Sequence, residues 1–544
     1  MSVRQCGLHE AHFSGLSGQS NVYGTSNVTL PDGTTKVLVS PLKEKVLCLE
    51  YLREKGNLKP ISRDVQFAYI PDDAEIVSMD AFSKHGEAGG FIVGITVAKD
   101  TGTTKPCHYF NVYCPWEKDA VYNLESIAHG WSTMELDFIP FYLTHTQNIH
   151  DEHMETVFLL CGSDKRVHLY KEEKEIAITR FMEHPAEIEF PEFNTLPSIP
   201  LWIDIKYIGN HERITAVGCQ NGSLRIAVVS LKSHEVTQKW ELRHDGPITC
   251  LKLFKSETDL RVPPFSKLQQ FYGDHGDKEM TPCQDTYHLL VTSALEVAVV
   301  YRNASMAGFE NQEVLPESDL YDCALCGCIA DVDWDGQNEI LIGTYGQEVL
   351  AYKYHSDTTK QTTVSSSPVN ANDKSSPDLS TDDKPTTDTH GEYRLHWKRG
   401  FSQPIVAMQY VDITGDGLCE LVVVTTRGVH ILQHCLTDAV TRCLESLTTM
   451  TTPKVVEEDE QTNTSQKDST RKTDPIAVDQ NVSDEGTRET VTEDVGKSTM
   501  TSSSPAAGDD VASKPEASKD TQKKTVLTLK EIAEAANASV DAES

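Results

Sequence analysis

The chain has 544 residues, of which 38% are hydrophobic and 24% charged, and its 82 Asp and Glu outweigh 49 Lys and Arg for a formal net charge of −33. No basic stripe interrupts that acid excess, so gripping a nucleic-acid backbone and simple adsorption to anionic lipid are both disfavoured, and no nucleic-acid partner is expected. The stretch from 451 onward carries 20 acidic and 11 basic residues, a net −9, which leaves −24 on residues 1–450.

In chain order, the N-terminus MSVRQCGLHEAHFSG lacks the apolar core of a signal peptide. No apolar run approaches the ~20 residues needed to span a bilayer, so no transmembrane segment is expected. Fourteen Cys, mostly within apolar strands, suit a reducing cytoplasm, where the Asn27-Val28-Thr29 sequon never meets glycosylation machinery.

An apolar strand, a short turn and a second apolar strand recur along the chain. The unit is read at 36–51, in a looser form at 90–114, and again at 157–170, 214–229 and 288–301. Around Trp240 the order of four strands is legible: Leu201–Ile208, Ile214–Cys219, Leu224–Leu231 and Glu235–Leu242. Trp240 is followed seven residues later by Pro247-Ile248, and Trp397 seven residues later by Pro404-Ile405.

Two further copies are preceded by acidic loops. Asp331, Asp333, Asp335, Gly336 and Glu339 fall in the same register as Asp412, Thr414, Asp416, Gly417 and Glu420. Alternating carboxylates and a glycine within one tight turn suit a hard, oxygen-seeking cation such as Ca2+. An EF-hand is excluded, because its twelfth position needs Glu and here holds Ile342, inside a strand-like run. The same aspartates also shape tight turns by accepting backbone N–H bonds with no ion present. The eight side chains are therefore candidate calcium ligands, with structural turns as the alternative, and no other cofactor is implied.

Seven matched units of four short strands predict an all-β, seven-bladed β-propeller over residues 1–435. Six or eight blades, a β-sandwich or two smaller β domains also fit short alternating strands, but the matched order of the repeats favours the propeller. Residues 361–390, inserted between the third and fourth strands of the sixth unit, and residues 451–544 have no aromatic residue and read as disordered. Leu436, Val440, Leu444 and Leu447 have helical spacing and predict a short helix over 436–450. In the tail, Thr528-Leu529-Lys530-Glu531 has capping-box spacing and opens a short helix over 528–538. Ser376-Pro377 and Ser504-Pro505 are candidate phosphate acceptors.

No Walker loop, nucleophile elbow, His-Glu-x-x-His or dinucleotide fingerprint is present, so the chain reads as a non-enzyme. Cys323, Cys326 and Cys328 raise zinc, but on a strand only Cys326 and Cys328 share a face, and small buried side chains are the simpler reading. His145, His150 and His153 lack regular metal spacing and read as polar loop residues.

The acidic loop with its strand–turn–strand resembles the FG-GAP repeat of integrin α-subunit propellers. Ser20–Gly24 (SNVYG), Tyr69–Ser78 (YIPDDAEIVS), Glu155–Leu160 (ETVFLL), Thr344–Glu348 (TYGQE) and Gly428–His434 (GVHILQH) resemble the kaptin family, in order across residues 15–435. The insert and the acidic tail depart from that family's pattern. The resemblance implies a subunit of the KICSTOR scaffold, peripheral at the lysosomal membrane. There it would pair with a second FG-GAP propeller protein, bind a very large scaffold subunit, and help recruit the GTPase-activating complex of the Rag GTPases, restraining TOR signalling when amino acids or glucose are scarce. It also implies an alternative association with actin filaments at lamellipodia and stereocilia. Filaments and this chain are both acidic, so like charge ranks the scaffold role first.

Overall fold

Runs such as Glu339–Thr344 and Glu420–Thr425 are buried at every position. Successive side chains of a strand point to opposite faces, so such strands need cover on both sides. In the computed structural model that need is met by seven four-stranded antiparallel sheets, packed side by side in a closed ring. The structure describes residues 6–441 except 31–32, 44, 55–56, 72, 85–89, 101–105, 115–123, 151–152, 174–179, 257–285, 357–390, 436 and 439. The expected insert, tail, tail helix and Ser-Pro sites lie outside the described residues. Of the helix expected over 436–450, residues 437, 438, 440 and 441 are described and helical.

The innermost strands of blades one to seven are Ser20–Thr29, Ala74–Lys84, Pro140–His150, Pro200–Ile208, Ile248–Phe254, Ala324–Ala330 and Ile405–Val411. Each carries a register shift near its start, for instance between Ile248 and Cys250 and between Ala324 and Cys326. An extra residue there bends the strand and raises its twist, which suits a strand that wraps a central axis. Trp240 and Trp397 lie on the outermost strands of blades four and six, so both mark the passage to the next inner strand.

Ring closure uses a strand that the sequence reading left unassigned. Leu8–Gly15 forms the outer strand of blade seven, pairing antiparallel with Gly428–His434 from Leu8–His434 to Gly15–Gly428. Blade seven therefore contains strands from both ends of the ring, and neither end leaves an unpaired seam. Val37, Val39, Leu47 and Leu49 of blade one pack on Val422, Val424, Val429 and Ile431 of blade seven across the closure.

The linker between blades three and four is tied by buried charge. Arg213 gives Nε to Glu192 Oε1 at 2.8 Å and Nη2 to Glu192 Oε2 at 2.9 Å, with both side chains fully buried. Thr215 donates to the same carboxylate, and the Arg225 guanidinium donates to the carbonyls of Glu192, Asn194 and Thr195. A planar fork on a carboxylate is the geometry in which such a pair is strongest. Among the described residues no helix is long and apolar enough to cross a membrane.

Candidate functional site: the acidic loops and the ring axis

Both acidic loops join the first and second strands of their blades, and both fold by the same local chemistry. Asp331 accepts the N–H of Asp335 through Oδ1 at 3.1 Å and that of Gly336 through Oδ2 at 2.9 Å. Asp412 accepts Gly415 and Asp416 through Oδ1 at 2.7 and 3.1 Å, and Gly417 through Oδ2 at 2.7 Å. Gly336 and Gly417 hold φ of 89° and 98°, a left-handed turn that glycine adopts without steric cost. Trp334, φ 54°, matches Gly415, φ 68°, in register, and its ring lies 4.2 Å from that of His434. Glu339 and Glu420 reach back to the N–H of Val332 and Ile413, at 2.8 and 3.0 Å. The sequence register between the loops is thus a register of structure.

The loops differ in charge. In blade six the ammonium of Lys353 lies among the carboxylates, 2.6 Å from Asp333 Oδ2 and 2.7 Å from both Asp335 Oδ2 and Glu339 Oε1. A divalent ion there would have to displace it. Lys353 stands one step beyond the Ile340–Tyr352 pair, opposite Glu339. The equivalent position in blade seven, one step beyond Leu421–Leu432, is Gln433, whose Nε2 donates to Glu420 Oε1 at 3.3 Å. Thr414 stands in the place of Asp333 and also donates to Glu420 Oε1. Burial first, then Asp416 and Asp412, raise Glu420 to about 7, and burial raises Glu339 to about 7 as well, against the opposing pull of Lys353.

Among the described residues, the group of His, Cys, Asp or Glu side chains that converges as metal ligands do is Asp331, Asp333 and Asp335, with ligand atoms within 4.8 Å of one another. Cys326 and Cys328 are buried in the apolar core between blades six and seven, while Cys323 precedes the strand and donates to the Ala324 carbonyl. His145 turns to the ring axis, where its Nδ1 lies 2.7 Å from Asp80 Oδ2. Burial pulls the His145 pKa down, and the charge and hydrogen bond of Asp80 more than offset it. His150 and His153 face each other across the hairpin at the backbone.

The axis is lined by the inner strands of all seven blades. Tyr23, Tyr142 and Trp202, from blades one, three and four, meet with ring centroids 4.6 to 5.6 Å apart. Lys252, Asp80, His145, Asn27 and Gln409 line the same well. Sequence reading missed this grouping, because each inner strand contributes only a few of its residues, and it took His145, His150 and His153 for loop residues where all three stand on strands of blade three.

A family model described as "KICSTOR complex protein kaptin" matches residues 8–444. The mouse KICSTOR complex protein kaptin is 40% identical over 435 residues, covering 80% of this chain and 90% of the relative. The chain belongs to the kaptin family. Among solved structures, BBS1N in complex with ARL6DN matches 80% of this chain and 99% of its own at 10% identity and a TM-score of 0.43. Saccharomyces cerevisiae Sqt1 covers the same shares at 9% identity and a TM-score of 0.38.

The stretches that resemble kaptin do identifiable work in the ring. Asn21 of SNVYG donates through Nδ2 to the carbonyls of Ile76 and Val77, at 3.2 and 3.1 Å, joining blade one to the EIVS stretch of blade two. Its Oδ1 accepts from Tyr23 N at 2.8 Å, within the bulge of the inner strand. A Cβ at Gly24 would come 2.9 Å from the Ser40 carbonyl, so a side chain there would force the backbone apart. GVHILQH is the strand that receives the closing N-terminal strand.

Proposed function

We propose that this chain is a non-enzymatic scaffold subunit of a KICSTOR complex. It pairs with a second FG-GAP propeller protein and a very large scaffold subunit, and through them sits peripherally at the lysosomal surface. There it helps recruit the GTPase-activating complex of the Rag GTPases and so restrains TOR signalling when amino acids or glucose are scarce. The observation that carries this reading is the match of the whole ring, residues 8–444, to the kaptin family. Physical form agrees with it. A closed propeller offers two loop-built faces and seven outer strands, and a rigid ring with long loops suits the holding of several partners.

The test is affinity purification of the full chain from fed and starved cells, washed at raised salt, with mass spectrometry of the eluate. A second FG-GAP propeller and a very large subunit should co-elute in fixed ratio, since a stable pairing of scaffolds buries more than ~1,000 Å2. An eluate holding actin and no such subunits would overturn the scaffold reading.

A further inference from the structure

The well on the ring axis has a volume of about 230 Å3 and receives residues from every blade. Tyr23, Tyr142 and Trp202 lie near the starts of their inner strands, and their contacts across the axis make an aromatic floor. The charged residues lie further along the strands.

Lys252 is the one Lys or Arg in the lining. Among the described residues no carboxylate forms a close ion pair with it; the Asp204 charge favours its protonated form from beyond that distance, while the hydrogen-bonding oxygens of Asp80 and Asp204 are turned to other partners. Asp80 accepts from Ser26 Oγ and Ala81 N through Oδ1, at 3.1 and 2.9 Å, and faces His145 through Oδ2. Asp204 accepts from Leu253 N through Oδ2 at 2.6 Å, while its Oδ1 is 3.7 Å from Lys206 Nζ. The well therefore holds an ammonium that no described carboxylate contacts directly, with the Asp204 charge acting on it only from further off. It also holds a donor to spare. Thr25 Oγ1 is buried with no hydrogen-bond partner among the described residues, and Gln409, whose Oε1 accepts from Asn27, lines the same well.

We propose that the axial well binds a small organic carboxylate, its monoanion on Lys252 and its apolar body against the Tyr23–Tyr142–Trp202 floor. A desolvated ammonium gains most from a single complementary charge with hydrogen bonds around it. A phosphate dianion would need a second cation, and the other fixed charge in the lining is the Asp80 carboxylate. The volume corresponds to about eight waters, so the ligand has roughly ten non-hydrogen atoms or fewer.

Benzoate is a suitable probe, read in the full chain through the 13C-methyl signals of its 10 methionines. Met79 and Met408 line the well and report on it, and the other methionines report on the fold. Benzoate should shift the Met79 and Met408 signals saturably, and neutral benzamide should not. Lys252→Met should weaken binding by at least about tenfold with the remaining signals unmoved, and Lys252→Arg should retain it. Four results would overturn the proposal: no saturable shift, an equal response to benzamide, competition by inorganic phosphate as effective as benzoate, or unchanged binding in Lys252→Met.

Discussion

Replacing Lys353 by Met leaves Asp333, Asp335 and Glu339 facing one another around the space that the ammonium filled. Breaking a buried ion pair on one side costs about 3–5 kcal/mol. Asp333 and Asp335 are 32% and 36% exposed, so water recovers part of that cost. The lower figure, about 3 kcal/mol, is the better expectation. An unfolding entropy of about 2 cal/mol/K per residue makes each kcal/mol worth roughly 1 °C in a ring of this size, so Tm should fall by about 3 °C. The more diagnostic readout is rescue. The variant's three carboxylates should welcome a proton or a divalent cation that the wild-type lysine excludes. Melting in excess chelator and in millimolar calcium, at both mildly acidic and mildly basic pH, should show the variant regaining stability with acid and with calcium by more than wild type. A variant that melts with wild type under every condition, or gains no more from either, would refute the view that Lys353 serves as the loop's built-in cation.

Three other outcomes follow from the same geometry. Glu420 has its folded pKa raised to about 7 by burial and by Asp416 and Asp412, so the fold favours its protonated form. That contribution is full below the ordinary glutamate value, is lost as pH rises through about 7, and is on the order of 3 kcal/mol. Glu420→Gln should therefore flatten the pH dependence of melting and stabilise the ring at basic pH; if instead calcium raises the wild-type melt by many degrees and Asp416→Ala loses that gain, the blade-seven loop is a metal site. Glu192→Ala should cost about 3–5 kcal/mol in denaturant unfolding by stranding the Arg213 charge, and Arg213→Met on that background should recover much of it. Deleting residues 1–15 should expose the edge of Gly428–His434 and drive self-association on size exclusion, whereas an unchanged monomer with an unchanged melt would mean that the N-terminal strand does not close the ring.

The hairpins were legible because they bury both faces. Runs such as Leu421–Val424 stay apolar at successive positions, and few other short segments of the chain do so. The Trp–Pro spacing fixed the blade boundary because each Trp stands three residues before the end of an outer strand, shortly before the chain turns inward. Leu8–Gly15 was not legible as a strand of blade seven. Its text, LHEAHFSG, is mixed, and its partner lies more than 400 residues away, beyond the reach of any local pattern. The loops were legible as matched turns, whereas their difference in charge was not. Lys353 looks like the solvated member of an alternating strand until the hairpin register sets it opposite Glu339. Lys252 hides in the same way within Ile248–Phe254, since only ring closure turns that strand's polar face toward an enclosed axis.

The scaffold role is tested most directly in cells that lack this chain. After amino-acid withdrawal, phosphorylation of TOR substrates should stay high, and re-expressing the full chain should restore its fall, while the purified protein should not sediment with actin filaments at physiological salt. A normal starvation response without the chain, together with co-sedimentation at micromolar affinity, would contradict the scaffold assignment and put the cytoskeletal role in its place.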